Sequence, residues 1–474
     1  MKTTRLFMTA ALALTLAACS KDDDGLTPQP AEQQPAEQPA GQAKVMHFKA
    51  TISIGEGGMT RALADGGTTL TATWAEGEKV ALIHNGVSDE MTVASVSGGK
   101  ATITGEITGS PSDGDDVTII YPATAAKGTT GKVKGNLLKT QEGTLAAVSE
   151  KYDVRKGTGT LTVTGESATL TNDVAMANQF AVWKLTVPAN ARNLCILADN
   201  EAIAGATLIG EQGTEFTVAV PEVDDKTITV VASDDDNNCY YYKKDGINLA
   251  AGKYYRSAPA MTTVGTSSTD DPQLVTGDHS SESDTWIKKY SVNKTLVFCG
   301  LIVPQCCFIG VDDITIILMG TNLLNTSGNT VVIGPMVVVG DKTLTITGTG
   351  SLTAKGGKDG PCFGAYKQGK TDYPCGDIII SGGILDLTGG KIKNGTGAAA
   401  IGTSNGGTCG NITITEGVTR LTATKVGSAT HSIGTGTGGT CGTITIGGTV
   451  YWDGSSYQNG GDTYLTQSTL IYEP

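Results

Sequence analysis

From Val45 onward, apolar and polar positions alternate with a period of two. VMHFKATISI is the first such run, and GEGG breaks it. TLTATWAEGEKVALIHNG, KATITGEI and DVTIIYPA follow, parted by Gly, Asp and Asn. TLTVTGESATLTN, FAVWKLTVPA, NLCILAD, TEFTVAVPE and KTITVVAS continue the pattern, and NNCYYYKKDGINLAAGKYYRSAPA ends it near Ala260. Short runs of this kind bounded by turn residues predict strands. No window carries a long 3.6-residue period, apart from a short candidate helix near Leu145. Strands at intervals of about ten residues predict β-sandwich packing. Residues 45–262 have the length of two such modules, joined near 140–160. Trp74 and Trp183 read as core. Tyr240, Tyr241 and Tyr242 alternate across a strand, so at most one face of that row is exposed.

A stretch rich in Thr, Ser, Gly and Asp, 263–283, reads as a linker. Beyond it the sequence repeats. Ile333-Gly334, Phe363-Gly364, Ile401-Gly402 and Ile433-Gly434 each precede two short β runs, at Gly-to-Gly intervals of 30, 38 and 32 residues. The two best copies are IGTSNGGTCGNITI and IGTGTGGTCGTITI. A propeller blade needs four strands in about 40 residues, whereas these units hold three short runs. Ile pointing inward, Thr outward and Gly at tight corners predict a parallel β-helix over 284–474, with four to six coils. The fold class expected is therefore all-β throughout. Cys375, Cys409 and Cys441 hold one place in successive coils. They read as a ladder of small buried thiols, with a disulfide between neighbours as the alternative. Cys306-Cys307 reads as one thiol inward and one outward. Tyr451, Trp452 and Tyr457 near the end either stack on sugars or cap the last coil, and TYLTQSTLIY reads as its closing segment.

The amino terminus has a different pattern. Lys2 and Arg5 precede an apolar stretch from Leu6 to Leu16, followed by Ala17-Ala18-Cys19. Residues 1–18 have the layout of a secretory signal peptide. The apolar stretch is shorter than the roughly 20 residues of a membrane span. The site before Cys19 resembles a lipobox, which implies that Cys19 is acylated and becomes the mature terminus. Ser20, Lys21, Asp22, Asp23 and Asp24 follow. They resemble the surface-export signal of lipoproteins in Bacteroidota-type bacteria, which implies a surface-exposed place on the outer membrane. The rest of 19–44 is a Pro- and Gln-rich tether. In polyproline II form its residues would reach up to roughly 60 Å.

Composition narrows the function classes. The formal net charge is −13, which argues against a nucleic-acid partner. Of 64 Gly, 38 lie after residue 264, in step with the change of architecture. Ten Cys include Cys19, so nine remain, an odd number that leaves at least one unpaired within the chain. No pair has C-x-x-C spacing, so no metal site and no cofactor are expected. The repeat wall offers Thr, Asn and Gly, with isolated Asp377, Asp386 and Arg420. Asp312-Asp313 is the one close acidic pair there and reads as a solvated turn. No catalytic residue is nominated, and an enzyme is not expected.

Four short motifs carry a resemblance over residues 45–262. They are Thr60-Arg61-Ala62, the run from Trp74 through Val80 (WAEGEKV), Tyr121-Pro122-Ala123, and Leu249 through Tyr255 (LAAGKYY). In order and spacing they resemble the fimbrillin, or type V pilin-like, family. The resemblance implies surface β-sandwiches used in fimbriae or adhesion. It also implies proteolytic processing between Arg61 and Ala62, after which a strand from another subunit replaces the first strand. The C-terminal third resembles β-helix domains of the carbohydrate-binding type in surface lipoproteins. The function expected is a fimbria-associated or adhesive subunit, with the sandwich as stalk and the β-helix as binding tip. A stand-alone glycan-binding surface lipoprotein is the alternative, and a polysaccharide lyase or hydrolase comes third. The expected partners are the outer membrane through the lipid, fimbrial subunits, and a polysaccharide or host glycan.

Replacing Cys19 with Ala should abolish lipidation and release soluble protein. In whole cells, added protease should digest the wild-type chain. Wild-type protein fully shielded from that protease would overturn the surface placement.

Overall fold

The computed structural model describes residues 45–54, 73–208, 213–280, 286–290, 292–325, 336–338, 340–358, 360–368, 371–390 and 397–474. Among these residues the fold is almost all β, and the helical pieces are only three to five residues long. The helix expected near Leu145 is one of them, Leu145–Ala147, with the Thr144 hydroxyl accepting from the Ala147 amide.

The first module is built around its first strand, Met46–Ile54. Met46, Phe48, Ala50 and Ile52 are buried and alternate with less buried residues, as a period of two requires. The strand pairs antiparallel with Lys100–Ile107 along one edge. Along the other it pairs parallel with Ser167–Leu170 and Val174–Asn178. From Lys100–Ile107 the ladder continues through Val87–Ser97, Lys79–His84, Asp116–Tyr121 and Arg155–Thr164 back to Ser167–Leu170. It therefore closes on itself as a ring of seven strands, with Val174–Asn178 as an eighth beside it. This differs from the expected sandwich of two separate sheets. One strand paired along both edges joins what would have been two sheet borders. Trp74 is core here, edge-on to Tyr121 at 5.1 Å.

The second module is a sandwich. A five-stranded sheet, ordered Glu201–Thr207, Asn193–Ala198, Val223–Ser233, Cys239–Leu249 and Thr262–Thr263, packs with a three-stranded sheet of Gly213–Pro221, Phe180–Ala191 and Tyr254–Ser257. Leu138, Ala147 and Val148 enter the same core from the connection before Arg155. The segment 140–160 is thus no simple junction, because it fills the second core and then re-enters the first ring. Trp183 is buried, and its Nε1 donates to the Ser257 hydroxyl at 2.9 Å.

The remaining chain stacks in parallel ladders. Leu296, Ile316, Ile346, Ile380, Ile414 and Ile446 stand in register in the first ladder, and all are buried. Val303, Leu324, Ala354, Leu387 and Ala423 do so in the second. Phe308, Met336, Phe363, Ile401 and Ile433 form the register of the third. Gly364, Gly402 and Gly434 are stacked with φ of 132°, 122° and 125°. A Cβ on Gly364 would lie 1.8 Å from the Gly402 carbonyl oxygen, so no side chain fits there. Polar side chains tie one repeat to the next. Asp313 accepts from the Thr343 amide at 2.7 Å, Asp377 from Asn411 at 2.7 Å, and Asn411 from Thr443 at 2.9 Å. The first Ile-Gly copy, Ile333-Gly334, lies outside the described residues.

Two expectations change in this region. The stretch read as a linker, 263–283, contains the strand Gln273–Asp278, which pairs parallel with Lys294–Val303. Its QLV run is short but buried, so apolar burial overrides the Ser- and Gly-rich surroundings. Cys306 and Cys307 are both buried, where one was expected to face outward.

The second module and the stack are packed side against side. Cys195, Leu197 and Val231 on the outer face of the five-stranded sheet share one buried apolar cluster with Val297, Cys299, Ile317 and Met319 of the first ladder. The Ala202 amide donates to the Thr347 hydroxyl at 3.0 Å, and the Asn136 amide group to the Thr419 carbonyl at 3.3 Å. Lys127 reaches Glu416 at 3.5 Å. A stalk carrying a separate tip was expected. The strands behind this contact are apolar on both faces, so they must be covered on both.

Ile412 is fully buried and Thr413 is only half-buried. In the full chain, Ile412→Asp should lower stability by more than about 4 kcal/mol, because a lone carboxylate enters the core. Thr413→Asp should cost less than about 1 kcal/mol. Thermal melts by circular dichroism decide this, and equal damage would reverse the assigned inward face.

Candidate functional site

All three aromatic candidates lie at the end of the stack, where Trp452 and Tyr457 meet and Tyr451 packs on Tyr464 instead. Thr443–Ile446 is the last parallel strand of the first ladder, and Gly447 and Gly448, with φ of 57° and 78°, turn the chain back. The returning strand, Thr449–Asp453, pairs antiparallel. Positive φ at both turn residues matches the twist of such a hairpin. Asp453 then accepts from the amides and hydroxyls of both Ser455 and Ser456, and from Gln458. Those donors hold its carboxyl far below the usual carboxylate range. The turn brings Tyr457 back beside Trp452, with ring centroids 5.0 Å apart at 69°.

Tyr451 lies on Tyr464 at 4.6 Å, and Tyr451, Trp452, Tyr464 and Tyr472 all pack on the core of the stack. Leu465 and Leu470 are buried in that core. Thr469–Tyr472 pairs antiparallel with Arg420–Thr424 and covers the last edge of the second ladder. The segment TYLTQSTLIY thus lies over the end of the stack. Tyr451 and Trp452 give much of their surface to this cap, while Tyr457 is 39% exposed. Of the three, only Tyr457 is exposed.

The sequence offered no reason to single out His431, which lies beneath these rings. Its Nε2 is 2.7 Å from the Tyr457 hydroxyl, and its Nδ1 accepts from the Thr435 amide at 3.1 Å. An amide can only donate, so the ring is neutral with its proton on Nε2. Burial, helped by the nearby Lys425 charge, pushes its pKa down to about 4.

A second concavity lies where the second module meets the stack. It measures about 340 Å³, and Phe180, Ile203 and Glu416 are among its walls. At its base Lys139 is buried and donates to the Ala202 carbonyl. Burial lowers the Lys139 pKa to about 8, against an opposing pull from Glu201 and Cys195. Lys139 and Ala202 are 63 residues apart, so no local motif announces the cleft.

Cys19, Ser20, Lys21, Asp22, Asp23, Asp24, Arg61 and Ala62 lie outside the described residues. Cys375, Cys409 and Cys441 are buried and in register, as a stacked thiol ladder requires. The isolated acidic and basic residues of the repeat wall stay apart. Asp377 is engaged with Asn411, and Arg420 reaches Glu473 at 3.4 Å. Among the described residues no three His, Cys, Asp or Glu converge as metal ligands.

Comparison with known proteins adds little weight. No family model and no curated protein matches the chain. A fimbrial protein from Bacteroides ovatus ATCC 8483 is similar in structure over 46% of this chain and 49% of its own, at 11% identity and a TM-score of 0.26. The chain thus spans about half the length of that protein. Candidate cell adhesion proteins from Bacteroides uniformis ATCC 8492 and Bacteroides ovatus ATCC 8483 match over 47% and 48% of this chain and 93% and 97% of their own. Their identities are 10% and 13%, with TM-scores of 0.25 and 0.27. Scores of this size carry no argument about fold or function.

The depressed pKa of His431 has a consequence for stability. The unfolded ring takes up a proton near pH 6.5, while the folded ring resists until about pH 4. Its contribution is full above pH 6.5 and is lost as pH falls to about 4, on the order of 2 kcal/mol. The wild-type melting temperature should therefore drop more steeply between pH 7 and 4.5 than that of His431→Asn. Parallel slopes would show that the ring titrates freely.

Proposed function

We propose that this chain is a lipid-anchored cell-surface protein of the fimbria-associated, adhesive kind, without enzymatic activity. In this reading the stacked C-terminal repeats form a parallel β-helix. The observation that carries the proposal is the first strand. Met46–Ile54 is paired along both edges and fills the ring with Met46, Phe48, Ala50 and Ile52, each at most 5% exposed. Loss of that one strand would leave two unpaired edges beside an empty apolar stripe. An extended segment of another subunit fits that vacancy by β-augmentation. The Arg61-Ala62 bond follows this strand in sequence, as the fimbrillin resemblance requires for processing.

The other end of the chain supports a terminal position in such an assembly. Leu465 and Leu470 are buried and Thr469–Tyr472 is paired, so this end is committed to its own stack. In this reading Thr469–Tyr472 is not a donated strand, and the chain takes the accepting role that suits one end of a fibre. A second reading, a stand-alone glycan-binding surface lipoprotein, is favoured by the exposed ring of Tyr457 beside Trp452. One experiment separates the two. Fibre-associated protein should begin at Ala62 and be present in low copy beside a different major subunit, as read by N-terminal sequencing. Only uncut, lipidated monomer on cells that do make fibres would favour the stand-alone reading.

A further inference from the structure

Cys239 opens the strand Cys239–Leu249 of the second module, and Cys299 lies within Lys294–Val303 of the stack. Both are buried in the apolar cluster that joins the two. Each of the two thiols shifts the other's proton affinity across that contact. The turn before Cys239 is seated on the same spot, since Asn237 Oδ1 accepts from Cys299 Sγ at 3.7 Å. The Val264 amide holds the Cys239 carbonyl at 2.8 Å. These two cysteines come from different modules, 60 positions apart in sequence, and have no reason to meet unless the modules dock as seen.

We propose that Cys239 and Cys299 form a disulfide that locks the second module onto the stacked repeats. The geometry sets this pair apart from the ladder of Cys375, Cys409 and Cys441. That ladder has three members on adjacent strands already joined by pairing, so a bond there would fasten nothing new. The bond between Cys239 and Cys299 closes a long loop and restricts the unfolded chain accordingly. The required oxidant is a disulfide, either a small molecule or a thiol-oxidising protein of an oxidising compartment. Both sulfurs are out of reach of an oxidant once the modules have docked, so the exchange takes place as the chain folds, before that contact closes. Cys299 attacks one sulfur of the oxidant and expels the other as a thiolate. Cys239 then attacks the mixed disulfide at Cys299 Sγ and expels the second. Two thiol protons pass to the two leaving thiolates, and two electrons reduce the oxidant.

The proposal stands apart from the adhesive reading and is tested on the full chain purified in detergent. The protein is unfolded under reducing conditions, refolded with oxidised glutathione, then denatured in iodoacetamide and digested without reductant, with a chymotryptic cut at Leu301 to separate Cys299 from Cys306. Mass spectrometry should find the Cys239 and Cys299 peptides joined, and the melting temperature should fall by several degrees on reduction. Cys375→Ser with Cys409→Ser should keep the joined peptide. Cys299→Ser should leave Cys239 alkylated and make melting insensitive to reductant. Recovery of Cys239 and Cys299 alkylated, capped by glutathione, or joined to other cysteines would overturn the assignment.

Discussion

Every backbone amide on a strand edge needs a partner, and a chain built almost wholly of strands must dispose of its edges. The first module does so by closure, with Met46–Ile54 bonded on both sides. The stack extends by repetition, since each repeat offers its edge to the next in unbroken register. It ends where Gly447 and Gly448 reverse the chain and where Thr469–Tyr472 runs antiparallel against Arg420–Thr424. An antiparallel strand cannot continue the parallel repeat, so these two segments act as stops. The aromatic cluster follows from the same need, because the last apolar layer of Ile444 and Ile446 must be covered by something other than another repeat.

Docking of the second module answers a related demand. Strands near the start of the stack carry apolar residues on both faces. Leu296, Phe298, Ile316 and Leu318 point into its core, while Val297, Cys299, Ile317 and Met319 point away from it. The five-stranded sheet has the same double character, with Leu194, Ile196 and Val230 inward and Cys195, Leu197 and Val231 outward. Each surface is the cover for the other. Covering Val297, Cys299, Ile317 and Met319 withdraws several side chains from water, at about 25 cal/mol per Å² of apolar area. A hinge there would expose that area at every opening, so the contact favours one fixed arrangement.

Much of this was legible in the sequence, and what was missed has a physical signature. Period-two runs gave the strands, and the Ile-Gly copies gave stacked repeats with Ile412 and Ile444 inward. The ring closure was not legible, because a strand's alternation says which face is buried and nothing about which edges are bonded. The docked face was legible and was read too weakly. LVFC and IILM are continuously apolar, whereas the later copies NITI and TITI alternate, and only the former need cover on both sides. Similarly, VVA and LCILA in the second module are apolar without a break. At the cap, Tyr451, Trp452 and Tyr457 stood out by residue type. His431 did not, since its role depends on Thr435 and Tyr457 brought beside it by the fold.

The closed ring also bears on how a chain anchored through lipid, as proposed, could be processed and still serve an assembly. Under the proposed cut between Arg61 and Ala62, the covalent path from Cys19 to the body of the protein is broken. The first strand nevertheless stays in place, because its pairing with Lys100–Ile107 runs through eight residue pairs and four of its side chains lie in the core. Withdrawing those side chains into water costs about 1.5–3 kcal/mol for each of the larger ones, before the ladder hydrogen bonds are counted. A nicked molecule would therefore remain tethered through a non-covalent strand. Release becomes favourable only when an incoming strand replaces the lost pairing and refills the stripe left by Met46, Phe48, Ala50 and Ile52. Detachment from the lipid and entry into a fibre are then one exchange, and the cleavage alone commits the molecule to neither.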